Sequence, residues 1–136
     1  RISEVDQANR RPKPPNEEQL GFGAFFSDHM LYLDYKEGKG WHSPRIQPYG
    51  SLSLDPAALG LHYGQQVFDG LKAFRTKEGA VRLFRPREYV ERMNRSAQRL
   101  CMPALDVDFV VQALKELVRI DSEDGLRRRQ PGRAGG

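Results

Sequence analysis

Residues 71–102 read LKAFRTKEGAVRLFRPREYVERMNRSAQRLCM, and the fold class turns on a change of period inside them. In LKAFR and VRLFR apolar and polar side chains alternate, as in a strand, and TKEGA between them supplies a glycine for a turn. After Pro86 the apolar residues Val90, Met93, Ala97 and Leu100 fall at i, i+3, i+7 and i+10, one face of a helix. Proline suits the first turn of that helix, where its missing N–H has no intrahelical partner to lose. The stretch therefore predicts strand, turn, strand and helix.

Working outward, FFSDHMLYLDY at residues 25–35 alternates from His29 to Tyr35. KEGKG and then WHSPRIQPYG follow, which predicts a β-hairpin. SLSLDPAALG at 51–60 reads as a loop and a short helical turn, with Asp55 as cap and Pro56 in the first helical position. Downstream, a second helix is expected from about Val107 to Asp121 behind Asp106, burying Val110, Ala113, Leu114, Leu117 and Val118. Strands first and helices after predict an α+β fold, a mainly antiparallel sheet with helices packed on it. Residues 1–19, with prolines at 12, 14 and 15, read as an extended lead-in to a domain at 20–124.

The formal charge of +4 invites a nucleic-acid reading, but the excess is local. Residues 125–136, GLRRRQPGRAGG, hold four arginines and no acid, and the remaining chain has 18 basic against 18 acidic residues. The tail reads either as a disordered basic segment or as the product of a shifted reading frame in GC-rich DNA. A nucleic-acid partner acting through it is the weaker reading, and none is expected. The single cysteine, Cys101, cannot form an internal disulfide, and no apolar run nears the roughly 18 residues of a membrane span. With no signal peptide in view, the expectation is a cytoplasmic protein without a membrane partner.

Local chemistry narrows less. Lys72 shares a strand face with Phe74, and spacing alone gives it no task beyond a strand lysine with its head in solvent. His29, His42 and His62 are too scattered for a metal signature. GFGAFF at 21–26 is only part of a dinucleotide fingerprint, with no strand leading in or helix leading out. Arg92, Arg95 and Arg99 recur opposite the apolar helix face. That pattern leaves two readings open, a solvated basic face and a phosphate ligand.

Four strings carry a resemblance. GFGAFFSDHMLYLDY, PRIQPYGSLSLDP, LHYGQQVFDGLKAFR and VRLFRPREYVERMNRSAQRLCMP, in this order and spacing, resemble the branched-chain amino acid aminotransferases, fold type IV pyridoxal phosphate enzymes, over residues 20 to about 122. The resemblance implies the small N-terminal domain of that fold, with pyridoxal 5'-phosphate as cofactor. It implies branched-chain amino acids and 2-oxo acids as substrates, and a homodimer in the full-length form. Phe22 and Phe68 match positions lining the apolar substrate pocket, and Tyr63 one that reaches into the partner's pocket. Arg92 matches the arginine that binds the cofactor phosphate, while Arg95, Arg99 and Lys72 match no ligand or catalytic position. The imine-forming lysine of the family lies in a large C-terminal domain, so no catalytic residue is expected here and the chain alone is expected to be inactive. The alternative is a non-catalytic fragment that acts only by associating with full-length subunits.

Overall fold

The computed structural model describes residues 1–12, 14, 21 and 23–127. The chain divides into two compact units, one built on residues 1–50 and one on residues 51–122. The α+β expectation holds, but the strands form two separate antiparallel pairs instead of one sheet.

In the first unit β1 (His29–Lys36) pairs with β2 (Gly40–Pro48) across the KEGKG turn. Gly38 and Gly40 take φ of 78° and 76° there, a region open to glycine without a Cβ clash. Register slips between the Tyr32–Arg45 and Asp34–His42 pairs, where two residues of β2 face one of β1. The reason is Pro44, which has no N–H for the ladder; the bulge absorbs it, with Ser43 at φ 51°. Arg45 then lies over the Tyr32 ring at 4.1 Å and donates to Asp34 at 2.6 Å, a bond that holds the Asp34 carboxyl below the ordinary range. Nearer the turn, the cross-strand neighbours Tyr35 and Trp41 pack edge to face at 5.3 Å.

The lead-in is more than an extended arm. Ile2 forms a parallel bridge to Ile46, closed by the Ser3 N–H on the Ile46 carbonyl at 2.9 Å and the Ile46 N–H on the Arg1 carbonyl at 3.0 Å. A short 3₁₀ turn follows at Gln7–Asn9. Two buried polar side chains at the start of β1 secure this arm. His29 accepts the Val5 N–H on Nε2 at 3.0 Å, and Asp28 accepts the Arg11 N–H on Oδ1 at 2.7 Å. They are the least exposed polar residues described, at 1% and 2%, and with Ile46 form the centre of this unit.

The second unit opens at Asp55, which does not cap the helix as expected. Its carboxylate takes the Ala57 N–H at 2.7 Å in a turn, and α1 (Leu59–His62) starts only after Ala58. The short strands β3 (Ala73–Arg75) and β4 (Val81–Leu83) pair through the TKEGA turn, Gly79 at φ 86°. Then α2 (Pro86–Arg99) begins at the predicted proline and buries Val90 and Ala97. Asp106 caps α3 (Val107–Arg127), accepting the Phe109 N–H at 2.8 Å. This helix buries Val110 and Ile120 and leaves Ala113, Leu114, Leu117 and Val118 half-buried. It runs six residues past the expected end and three into the predicted tail, whose residues 128–136 lie outside those described. Asn94 ties α2 to the segment that leads into α3, its amide giving to and taking from the Leu105 backbone at 2.8 Å each.

Leu100 was expected on the apolar face of α2 but is its C-cap, 40% exposed. The helix closes in a Schellman motif, with the Met102 N–H on the Ala97 carbonyl at 2.9 Å and the Cys101 N–H on Gln98 at 3.2 Å. Cys101 is the left-handed residue of that motif, at φ 56°, where a side chain is strained. Cys101→Gly is therefore expected to raise the stability of the chain by about 0.5–1 kcal/mol, read as a higher urea midpoint at unchanged slope.

Candidate functional site

The loop from Tyr63 to Lys72 has no helix or strand of its own, so its shape depends on side-chain ties. Gln66 donates to the Gly60 carbonyl at 2.7 Å, and a Cβ on Gly60 would stand 3.2 Å from that same amide nitrogen. Gln65 donates to the Leu100 carbonyl at 2.8 Å, capping one of the carbonyls left over at the end of α2. The third tie is Asp69, which receives Nε of Arg92 on Oδ2 at 2.8 Å and Nη2 on Oδ1. The loop is thus fastened to α2 near both of its ends.

That third tie forms the polar part of the site. Asp69 is nearly enclosed, its side chain 10% exposed, whereas Arg92 is 54% exposed. The hydrogen bond from Arg92, against the opposing effect of burial, holds the Asp69 carboxyl below the ordinary aspartate range, and the same bond raises Arg92. Tyr89, one turn earlier on α2, lies under the guanidinium carbon with its ring centre 4.7 Å away. Among the described residues no hydrogen bond engages Nη1 of Arg92, so one edge of the fork is held by Asp69 and the other is not used within the chain.

Tyr89 also belongs to the apolar part. It lines a cleft of about 390 Å³ with Gly70, Leu71, Lys72, Phe74 and Phe84. Lys72 and Phe74 share this cleft as strand alternation implied, but Leu71, expected on the opposite face, lines it too, because the strand begins only at Ala73. Lys72 therefore stands among aromatic rings. Its lining neighbours include no carboxylate, histidine or second cation.

The remaining sequence candidates separate. Phe22 lies outside the described residues. Phe68 and Tyr63 are the most exposed large apolar side chains described, at 86% and 83%, and neither lines the cleft. Phe68 is nonetheless set by its neighbour, since Asp69 fixes the backbone beside it to α2. Arg95 and Arg99 are exposed, and Arg99 lies in the last turn of α2, where a cation suits the helix dipole. Asp69, Gln65 and Tyr89 were not singled out from sequence: two sit in a loop without periodicity, and the third reads as an ordinary helix aromatic. Among the described residues there is no His, Cys, Asp and Glu group that could hold a metal, and no helix long and apolar enough to cross a membrane.

No family model matches the chain. Individual relatives do. The chain is 51% identical over 109 residues to branched-chain-amino-acid transaminase 1 of Bacillus subtilis (strain 168), a match covering 80% of this chain and 31% of that protein. It is 51% identical over 117 residues to branched-chain-amino-acid aminotransferase 2 of the same organism, covering 85% and 32%. The mitochondrial branched-chain-amino-acid aminotransferase of Rattus norvegicus is 44% identical over 119 residues, covering 86% and 30%. The chain spans about a third of the length of the curated relatives it matches. With half its residues identical over four-fifths of its length, this stretch of sequence belongs to the branched-chain amino acid aminotransferase family.

Proposed function

We propose that this chain contributes the phosphate anchor and an apolar substrate wall to a pyridoxal phosphate-dependent transaminase, which moves amino groups between leucine, isoleucine or valine and a 2-oxo acid. The observation that carries the reading is the Arg92 fork. It already grips one oxyanion, the Asp69 carboxylate, by two parallel N–H bonds, and its outer edge carries two further N–H directions suited to a phosphate. The donor set fits the group. Pyridoxal phosphate, when bound, supplies the aldehyde and the electron-accepting ring on which amino groups are moved.

This chain's own part is to bind and orient. Arg92 holds the phosphate end, and Tyr89 backs the guanidinium from the cleft side. Phe68, Tyr63 and Phe22 provide apolar surface for a side chain that offers no polar handle. No lysine described here is assigned the role of imine-forming amine, and the working assembly is a homodimer in which Tyr63 serves the neighbouring subunit. The proposed compartment is the cytoplasm.

Phe68 gives the test. Its high exposure means that Phe68→Ala leaves the stability of the 136-residue chain within about 0.5 kcal/mol of the parent. In an enzyme as long as the relatives and carrying this segment, the same change is expected to weaken leucine and isoleucine use by about 2 kcal/mol in kcat/KM, and alanine use far less. An equal loss for all three amino acids would remove Phe68 from the selectivity wall.

A further inference from the structure

We propose that Asp69 is a positioning residue for the phosphate site, selecting which edge of the Arg92 guanidinium a phosphate meets. The inference rests on the reading of Arg92 as the phosphate anchor. An arginine on an exposed helix face has many rotamers, and its five donors can be offered in several directions. Here two constraints converge on one group. Tyr89 supports its face at 4.7 Å, and Asp69 engages Nε at 2.8 Å together with Nη2. Asp69 comes from outside the helix, 23 residues earlier in the chain, and its side chain is 10% exposed against 54% for Arg92, so it approaches the guanidinium from the covered side. With the inner edge taken, the outer edge formed by Nη1 and the second N–H of Nη2 is the one left to bind. The residue next to Asp69 is Phe68, so the same carboxylate ties the apolar wall to the phosphate anchor.

Charge alone predicts the opposite behaviour, and this makes the idea testable. A carboxylate beside a phosphate dianion repels it, so removing the carboxylate tightens binding if Asp69 acts only through its charge. If Asp69 aims the fork, removing it weakens binding despite the gain in positive potential. The probe is pyridoxine 5'-phosphate, whose alcohol cannot condense with lysines, titrated calorimetrically into the 136-residue chain, with pyridoxine as the phosphate-free control.

Asp69→Asn is expected to weaken pyridoxine 5'-phosphate roughly 5- to 10-fold, within the range of one charge-assisted bond, without changing pyridoxine binding. Asp69→Glu, which restores a carboxylate, is expected to recover most of that loss. Equal or tighter binding by Asp69→Asn, with Arg92→Ala losing the phosphate-dependent affinity, overturns the role of Asp69 and leaves Arg92 standing. Unchanged binding by Arg92→Ala, or no phosphate-dependent affinity in the unsubstituted chain, overturns the phosphate reading and this inference with it. A second measurement needs no variant. The Nε–H resonance of Arg92 in the nitrogen-15 spectrum is expected to stay at its Asp69-bonded position as ligand saturates, and a shift to a solvent-like position, meaning that phosphate displaces Asp69, contradicts the proposal.

Discussion

His29→Ala is expected to destabilise the chain by about 2–4 kcal/mol, the largest single-residue loss we anticipate. His29 is 1% exposed, so truncation leaves a cavity at the start of β1. It also strands the half-buried Val5 N–H that Nε2 accepts at 3.0 Å, and a donor left unpaired away from water adds to the cost of the cavity. The consequences should be local as well as global. With that clamp gone, the arm loses one of its buried ties while the Ile2–Ile46 bridge, the Asp28 contact to Arg11 and the Arg11 stack on Tyr49 remain, so the amides of residues 3 and 5 should lose hydrogen-exchange protection before those of the β1–β2 ladder. His29→Gln, which retains an acceptor in a similar volume, should recover part of the loss. If His29→Ala shifts the urea midpoint by less than half a kcal/mol equivalent, the buried clamp contributes little to stability.

Arg92→Ala should have the largest effect on binding. Losing a charge-assisted fork to a dianion corresponds to about 2–3 kcal/mol, or roughly 30- to 150-fold in the affinity for a phosphate-bearing cofactor, and phosphate-free analogues should be unaffected. Arg92→Lys should fall in between, because it keeps the charge and loses the planar pair of donors. The substitution also leaves the nearly enclosed Asp69 carboxylate without its bidentate partner, so a modest fall in stability is expected alongside. The two losses can be told apart: calorimetric affinity reports the first and denaturation the second. A protein that melts without any phosphate-specific change in affinity would make Arg92 a strut of the loop and nothing more.

What could be read from the sequence follows from what is periodic in it. The β1–β2 hairpin, the β3–β4 pair, the proline start of α2 and the Asp106 cap of α3 were all legible, because each is written within a few residues as alternation, turn glycines or capping chemistry. Leu100 was misplaced because helical spacing continues through it while the chain leaves the helix at Cys101, a left-handed turn made without glycine. The docking of the N-terminal arm was invisible for a different reason. Its anchors are two buried polar residues whose partners are backbone groups 17 and 24 positions away, and no local pattern records such pairs. The same holds at the candidate site. Arg92 could be nominated from a helix face and a resemblance, but the Asp69 that grips it lies in an irregular loop, and only the structure brings the two together.

On the proposed reading this chain anchors and walls the site while the reacting amine lies outside it, and chemical trapping distinguishes that from an active lysine within it. The 136-residue chain, incubated with pyridoxal phosphate and reduced with borohydride, is expected to carry only scattered, substoichiometric adducts over its lysines by peptide mass spectrometry. Leucine and 2-oxoglutarate should show no turnover above free cofactor in the same samples. A single stoichiometric adduct on one lysine, together with turnover, would contradict the account, and Lys72, standing in the aromatic cleft, is where that adduct would be sought first.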